Sequence, residues 1–172
     1  MKKWAFTTVG DNARRSSKRW RDRSEGKEMT MRDDEQAIRA LIAKWTRAVE
    51  AKDADAIVAD YAEEAVLFDA IPPAKTVGRR AIRDVWAKCF PYFPETFRSE
   101  HKDLAVVVGG DVAFAHGFHH FLPRSADHPA GSTWMRVTIG FAKRNGRWRV
   151  AHEHVSAPFD PVSGKAELIK NA

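Results

Sequence analysis

The stretch from Asn145 to Ser156 constrains the fold more than any other. Asn145-Gly146 is a hairpin-turn dipeptide, and Trp148-Arg149-Val150-Ala151-His152-Glu153-His154-Val155-Ser156 follows it in strict alternation. A repeat of period two marks a half-buried β-strand. One face of this strand carries Trp148, Val150, His152, His154 and Ser156. Imidazoles on an otherwise apolar face are costly to bury dry. The strand is therefore expected to border a polar pocket that takes a small molecule.

The turn sets what lies opposite the histidines, and two registers compete. A two-residue loop pairs Arg144 with Arg147, which sets Ile139 across from His152 and Val137 across from His154. A three-residue loop with a bulge at Gly146 pairs Lys143 with Arg147, which sets Thr138 and Arg136 across from the histidines. A one-residue slip exchanges the faces of the whole strand. The bulged register is preferred because it gathers Trp134, Arg136, Thr138, His152, His154 and Ser156 on one pocket-like face. It leaves Met135, Val137, Ile139 and Phe141 on an outer face suited to a second subunit. The competing possibility is the reverse, with the apolar set inside and the polar set solvated.

Upstream, Ile38, Leu41, Ile42, Trp45 and Val49 recur at helical spacing and predict a helix from Asp33 to about Ala51. Thr30 and Asp33 resemble a capping box at its start. Asp53 can cap a short second helix through Tyr61. A short strand, Ala65 to Asp69, ends at the Pro72-Pro73 loop. Gly78 precedes a third helix, Arg79 to Phe90, with Ile82, Val85, Trp86 and Cys89 inward. Strands are expected over His101–Val108, Val112–Leu122 and Thr133–Lys143. A loop with Pro123, Pro129 and Gly131 precedes the last of them. Helices followed by an antiparallel meander make an α+β domain.

The net charge of +6 hints at nucleic acid, but its distribution argues against that partner. Residues 1–32 hold ten Lys/Arg and four Asp/Glu, whereas residues 33–172 hold nineteen of each. The excess lies in the first segment, around Arg14-Arg15-Ser16-Ser17-Lys18-Arg19-Trp20-Arg21, which reads as a disordered basic tail. The expected organisation is tail 1–32, domain 33–160 and C-terminal tail 161–172. One cysteine, Cys89, excludes an intramolecular disulfide and a cysteine metal cluster. No apolar run reaches membrane-spanning length, and a cytoplasmic protein is the default expectation.

Residues 34–160 resemble the nuclear-transport-factor-2-like superfamily, most of all its SnoaL-like and ketosteroid isomerase branches. The resemblance rests on the long helix, on Lys52-Asp53-Ala54-Asp55-Ala56-Ile57-Val58-Ala59-Asp60-Tyr61-Ala62-Glu63-Glu64-Ala65-Val66, on Gly78-Arg79-Arg80-Ala81-Ile82-Arg83, and on the closing strand. It implies a cone: a curved antiparallel sheet wrapped around three N-terminal helices, with a ligand pocket at the open end and dimers through the outer sheet face. It also puts Asp69 on the general-base aspartate of ketosteroid isomerase. Trp45 falls where that enzyme has a tyrosine, and no second aspartate stands near Gly140, so the usual oxyanion hole is missing. The same comparison turns His116, Phe118 and His120 toward the pocket.

Two functions fit. In the first, the chain is a cofactor-free isomerase, cyclase or dehydratase acting by proton transfer on a small hydrophobic carbonyl compound. Asp69 would be the base, and His152, His154 and Arg136 would polarise or protonate oxygen. Trp45, Tyr61, Trp86 and Trp134 would wall the pocket. In the second, the chain is a non-catalytic dimeric binding or assembly module. His152-x-His154 puts both rings on one face, but no carboxylate joins them there, so no metal is assigned. There is no phosphate-binding glycine loop, nucleotide fingerprint or serine nucleophile elbow.

Overall fold

The computed structural model describes residues 10–124 and 131–172, with side chains of the first helix from Glu28 onward. Pro129, part of the expected loop, lies outside the described residues. The helices are α1 (Gly10–Glu50), α2 (Ala54–Val58) and α3 (Arg79–Cys89), and a 3-10 turn, Phe90–Tyr92, extends α3. The strands are β1 (Tyr61–Phe68), β2 (Thr76–Val77), β3 (Phe97–Gly109), β4 (Val112–Pro123), β5 (Met135–Arg144) and β6 (Arg147–Ser156). They form one six-stranded sheet in the order β2-β1-β6-β5-β4-β3. The pair β1–β6 is parallel and the other four pairs are antiparallel. The sheet is curved and unclosed, and its concave face packs on the helices. No helix among the described residues is long and apolar enough to cross a membrane.

The expected stripe on α1 is the one that packs: Ile38, Ile42 and Val49 are buried, with Leu41 and Trp45 half-buried beside them. The helix start is a correction. No helix begins at Asp33; α1 runs unbroken from Gly10, so the expected tail is helical from that residue on. No proline interrupts the segment, and Arg, Lys, Glu and Met are good helix formers. Ion pairs Glu28–Arg32 and Glu35–Arg39, each one turn apart, add local support. At α2 the Asp53 carboxylate accepts from the backbone N–H groups of Asp55 and Ala56, as expected of a cap. That helix stops at Val58, and Tyr61 already belongs to β1.

The β5–β6 hairpin follows neither expected register throughout. Arg144 pairs with Arg147 across a two-residue turn, with Asn145 at φ 52° and Gly146 at φ 73°. Both values are left-handed, the requirement of the turn that suits twisted strands. The extra residue sits further along. Phe141 faces Val150 and Gly140 faces His152, so Ala151 has no partner. Trp148 and Val150 point inward before this bulge, and Glu153 and Val155 after it. The concave side thus receives Val137, Ile139 and Phe141, all buried. Burying such side chains is worth about 1.5–3 kcal/mol each, more than the penalty of one irregular ladder position. The apolar set expected outside is the core, and the polar set faces out.

Beyond β6, the expected C-terminal tail folds back. Phe159 bridges Ala166, and Ile169 bridges Trp134, donating its N–H to Thr133 Oγ1 at 2.9 Å.

Candidate active site in the cone

A cavity of about 280 Å³ opens between the concave sheet face, α1 and α3. Asp69, one residue past β1, stands in its wall, with Trp45 from α1 and Trp86 and Cys89 from α3. Strands β4 and β6 contribute His119 and Glu153. The aromatic side is continuous: Trp86 meets Phe90, Phe93 and Phe121 at ring separations of 5.7, 6.2 and 6.4 Å.

Two carboxyl groups share this apolar space. Burial pushes the Asp69 carboxyl above its ordinary range, opposed by hydrogen bonds from the backbone N–H groups of Ala70 and Ile71. The Ala70 bond is 2.7 Å. Burial also pushes Glu153 up to about 7; the Tyr61 hydroxyl bond works against this and the Asp69 charge adds to it. Tyr61 donates a short hydrogen bond to Glu153 Oε2, and both side chains are buried. Burial and the Glu153 charge hold the Tyr61 phenol well above its ordinary range. The Trp45 indole N–H approaches the Tyr61 hydroxyl without reaching hydrogen-bond geometry. Among the described residues it is the one buried side-chain polar atom without a partner. Two carboxyl groups whose ionised forms burial disfavours thus share one cavity.

On the opposite side, His119 Nε2 lies 2.9 Å from Ser99 Oγ. Burial, then the neighbouring His101 and His120, depress its pKa well below that of free imidazole. Burial alone lowers His101 to about 4. Cys89 is pushed up by burial and then by the Asp69 charge, so its thiol stays protonated.

Of the residues expected at the site, Asp69, Trp45 and Trp86 line the cavity. Tyr61 stands behind Glu153 and borders a separate hollow of about 20 Å³. His152, His154 and Arg136 do not line the cavity: the Ala151 bulge carries the two histidines to the convex face, and Arg136 is turned there by the alternation of β5, which buries Val137, Ile139 and Phe141. There His152 Nδ1 meets the Val66 carbonyl at 2.9 Å, and Phe68 packs edge-on against both imidazoles. Arg136 and His154 are exposed. His116, Phe118 and His120 also lie on the convex face, since β4 turns Ala113, Ala115 and His119 inward. His120 packs on Trp134, which likewise stays outside the cavity, at 4.8 Å.

With helices in the mouth of a curved sheet and an acid pair in its cavity, sequence comparison decides the family. Residues 38–160 match the SnoaL-like domain family. The chain belongs to it. This SnoaL-like domain is similar to an NTF2-like protein of unknown function from Pseudomonas putida, with 35% identity and a TM-score of 0.74. That match covers 81% of this chain and 97% of the other. An NTF2-like protein with a cystatin-like fold from Novosphingobium aromaticivorans is 16% identical, with a TM-score of 0.67 and coverage of 93% and 96%. A protein of unknown function from Mycobacterium tuberculosis is 19% identical, with a TM-score of 0.64 and coverage of 78% and 82%. The two lower identities speak to the fold alone. No curated protein matches the sequence.

Glu153 and His119 are the residues of the SnoaL-like domain that sequence reasoning missed. The signal for Glu153 was Gly140, since a lone glycine inside a strand pattern often marks a bulge. For His119 the signal was the Ala113-x-Ala115-x-Gly117 series, small residues on the side that helices crowd.

Proposed function

We propose that this SnoaL-like domain is a cofactor-free acid–base enzyme acting on a small hydrophobic carbonyl compound, as an isomerase, cyclase or dehydratase. The observation that carries the reading is the pair Asp69 and Glu153, both raised by burial in one aromatic-lined cavity. Asp69, whose carboxylate keeps two backbone N–H donors, is the base in this scheme. It removes a proton from the carbon beside the carbonyl; the C–H electron pair moves to the carbonyl oxygen as an enolate. Glu153 accepts from Tyr61 on one oxygen, and below about pH 7 the carboxyl carries a proton. That O–H donor stabilises the enolate in a water-poor space, the role an oxyanion hole fills elsewhere. Return of the proton from Asp69 to a different carbon of a conjugated enolate completes an isomerisation; re-formation of the carbonyl with departure of a β-hydroxyl, which takes the proton from Asp69 and leaves as water, completes a dehydration. His152, His154 and Arg136 have no part in this scheme.

Exchange of the α-hydrogens of a simple aryl ketone, tetralone, for deuterium tests it. Exchange in heavy water, followed by proton NMR, should be accelerated by the wild-type chain and not by Asp69→Asn. Equal acceleration by both would remove Asp69 as the base.

A homodimer through the convex sheet face remains part of the proposal, on different residues from those expected. Phe68, Val107, Val112 and Phe114 are exposed on that side of the sheet, and apolar exposure of this kind marks contact surfaces. Sedimentation of the wild type and of Phe114→Glu at micromolar concentration tests it; a monomeric wild type rejects it.

A further inference from the structure

His119 is the titratable nitrogen base of the cavity lining, and the acid–base scheme leaves it unused. Its partner Ser99 is buried too, and the Ser99 hydroxyl makes no other hydrogen bond among the described residues. A buried O–H without an acceptor is costlier than an imidazole lone pair left empty. The hydroxyl therefore donates to Nε2, which places the ring proton on Nδ1. Nδ1 has no partner within the described protein, yet it is not among the sealed unpartnered atoms, of which Trp45 Nε1 is the one found. On a side chain that lines the cavity, Nδ1–H is thus open to it. Trp45 and Phe121 stand edge-on to the imidazole at 5.4 and 4.5 Å and hold its orientation.

The rest of the lining limits the ligand. Among the described residues it includes Asp69 and Glu153 but neither lysine nor arginine. An anionic group would enter an apolar space beside a carboxylate with no cation to pair it. His119 is on β4 and Glu153 on β6, with β5 between them. Their partners on β5 are Met135 and Ile139, four residues apart, so at about 4.8 Å per strand and 3.4 Å per residue the two backbones stand roughly 16 Å apart, and both side chains line the same cavity. The cavity volume, about 280 Å³, is at the small end of the range for ligand sites. It suits a body of one or two rings.

We infer that the cavity takes an uncharged, ring-bearing ketone with a second oxygen acceptor at its far end, and that His119 Nδ1–H selects for that oxygen. The ketone end rests on the acid–base reading above; the far end does not.

The test uses the full chain and three probes: tetralone, tetralone with a methoxy group para to its carbonyl, and tetralone with a carboxylate at that position. Affinities come from calorimetry, and α-deuterium exchange is followed in parallel. The wild type should bind the methoxy ketone about fivefold to tenfold more tightly than tetralone, the size of one neutral hydrogen bond. It should bind the carboxylate at least about tenfold more weakly than tetralone. His119→Leu should erase the methoxy preference, and His119→Asn, which keeps an N–H near the Nδ1 position, should restore it. Ser99→Ala leaves the ring in place but unties its tautomer, and should shrink the preference even if His119→Leu fails to fold. The inference is overturned by any of four results: no binding of either neutral ketone, no methoxy preference in the wild type, a preference that survives in His119→Leu or unreduced in Ser99→Ala, or carboxylate binding equal to that of tetralone. If the preference behaves as expected but Asp69→Asn still exchanges deuterium, the reaction scheme fails and the role of His119 stands. The converse pattern sinks only His119.

Discussion

Gly140 lies directly across the ladder from His152, while its neighbour Phe141 lies across from Val150. Two residues of β5 are thus matched by three of β6, and the odd one, Ala151, inverts the parity of everything after it. A side chain at position 140 would place its Cβ 3.4 Å from His152 Cβ. The inversion exchanges a histidine-lined site for a carboxyl-lined one, and the predictions below follow from that exchange.

Asp69→Asn keeps the shape of the side chain and an oxygen for the Ala70 and Ile71 N–H groups. The catalysed exchange rate should fall by at least about a hundredfold, the usual worth of a positioned base. Ketone affinity, read by calorimetry, should change by less than about twofold.

Glu153 is pushed up to about 7 from 4.5. The native state therefore holds a proton that the unfolded chain releases, so the Glu153 contribution to stability is full below pH 4.5 and is lost as pH rises to about 7. At about 1.4 kcal/mol per pKa unit the loss is on the order of 3 kcal/mol. Glu153→Gln should abolish this fall in urea melts taken from pH 5 to 8. An unchanged slope would place Glu153 outside the linkage.

His101 works the other way. Its native value is about 4 against 6.5 for the free group. Its contribution is present above pH 6.5 and is lost as pH falls toward 4. His101→Gln should flatten the acid limb of the stability profile and leave the limb above pH 7 as it was.

Gly117 sits where β4 passes the irregularity of β3. A Cβ there would stand 2.8 Å from the Lys102 carbonyl oxygen and 3.1 Å from that of Asp103. Both are backbone atoms, which cannot swing aside. Gly117→Ala should destabilise the domain by about 1–3 kcal/mol. A melting temperature within a degree of wild type would show that β3 yields.

His154→Ala and Arg136→Ala alter exposed positions on the convex face. Each should change stability by less than about 0.5 kcal/mol and leave ketone exchange at the wild-type rate. A large loss of exchange in either would return the site to the closing strand.

Much of this architecture was legible. Helical spacing from Ile38 to Val49, the Asp53 cap and the Asn145-Gly146 turn each depend on a few neighbouring residues, and each is where the pattern put it. The site was less legible because orientation on a strand is a global property. Phe114 and Phe118 look like inward residues by hydrophobicity, yet Ala113, Ala115 and Gly117 face in because a helix or a neighbouring strand leaves no volume there. One unpaired residue at Ala151 then moved two histidines out and Glu153 in. The length of α1 was hidden for a different reason: its first turns have no apolar stripe to read.

The parallel pairing of β1 with β6 has a temporal consequence. Tyr61 and Glu153 are 92 positions apart in the chain. A nascent chain that has emerged only through β5 can pair β3, β4 and β5 but cannot join β1 and β2 to them, and it has neither the acid pair nor the wall behind Asp69. Such distant pairings are slow to form because the intervening chain must be ordered first. The two acids of the cavity therefore come together only once β6, made last of the six strands, has inserted between β1 and β5.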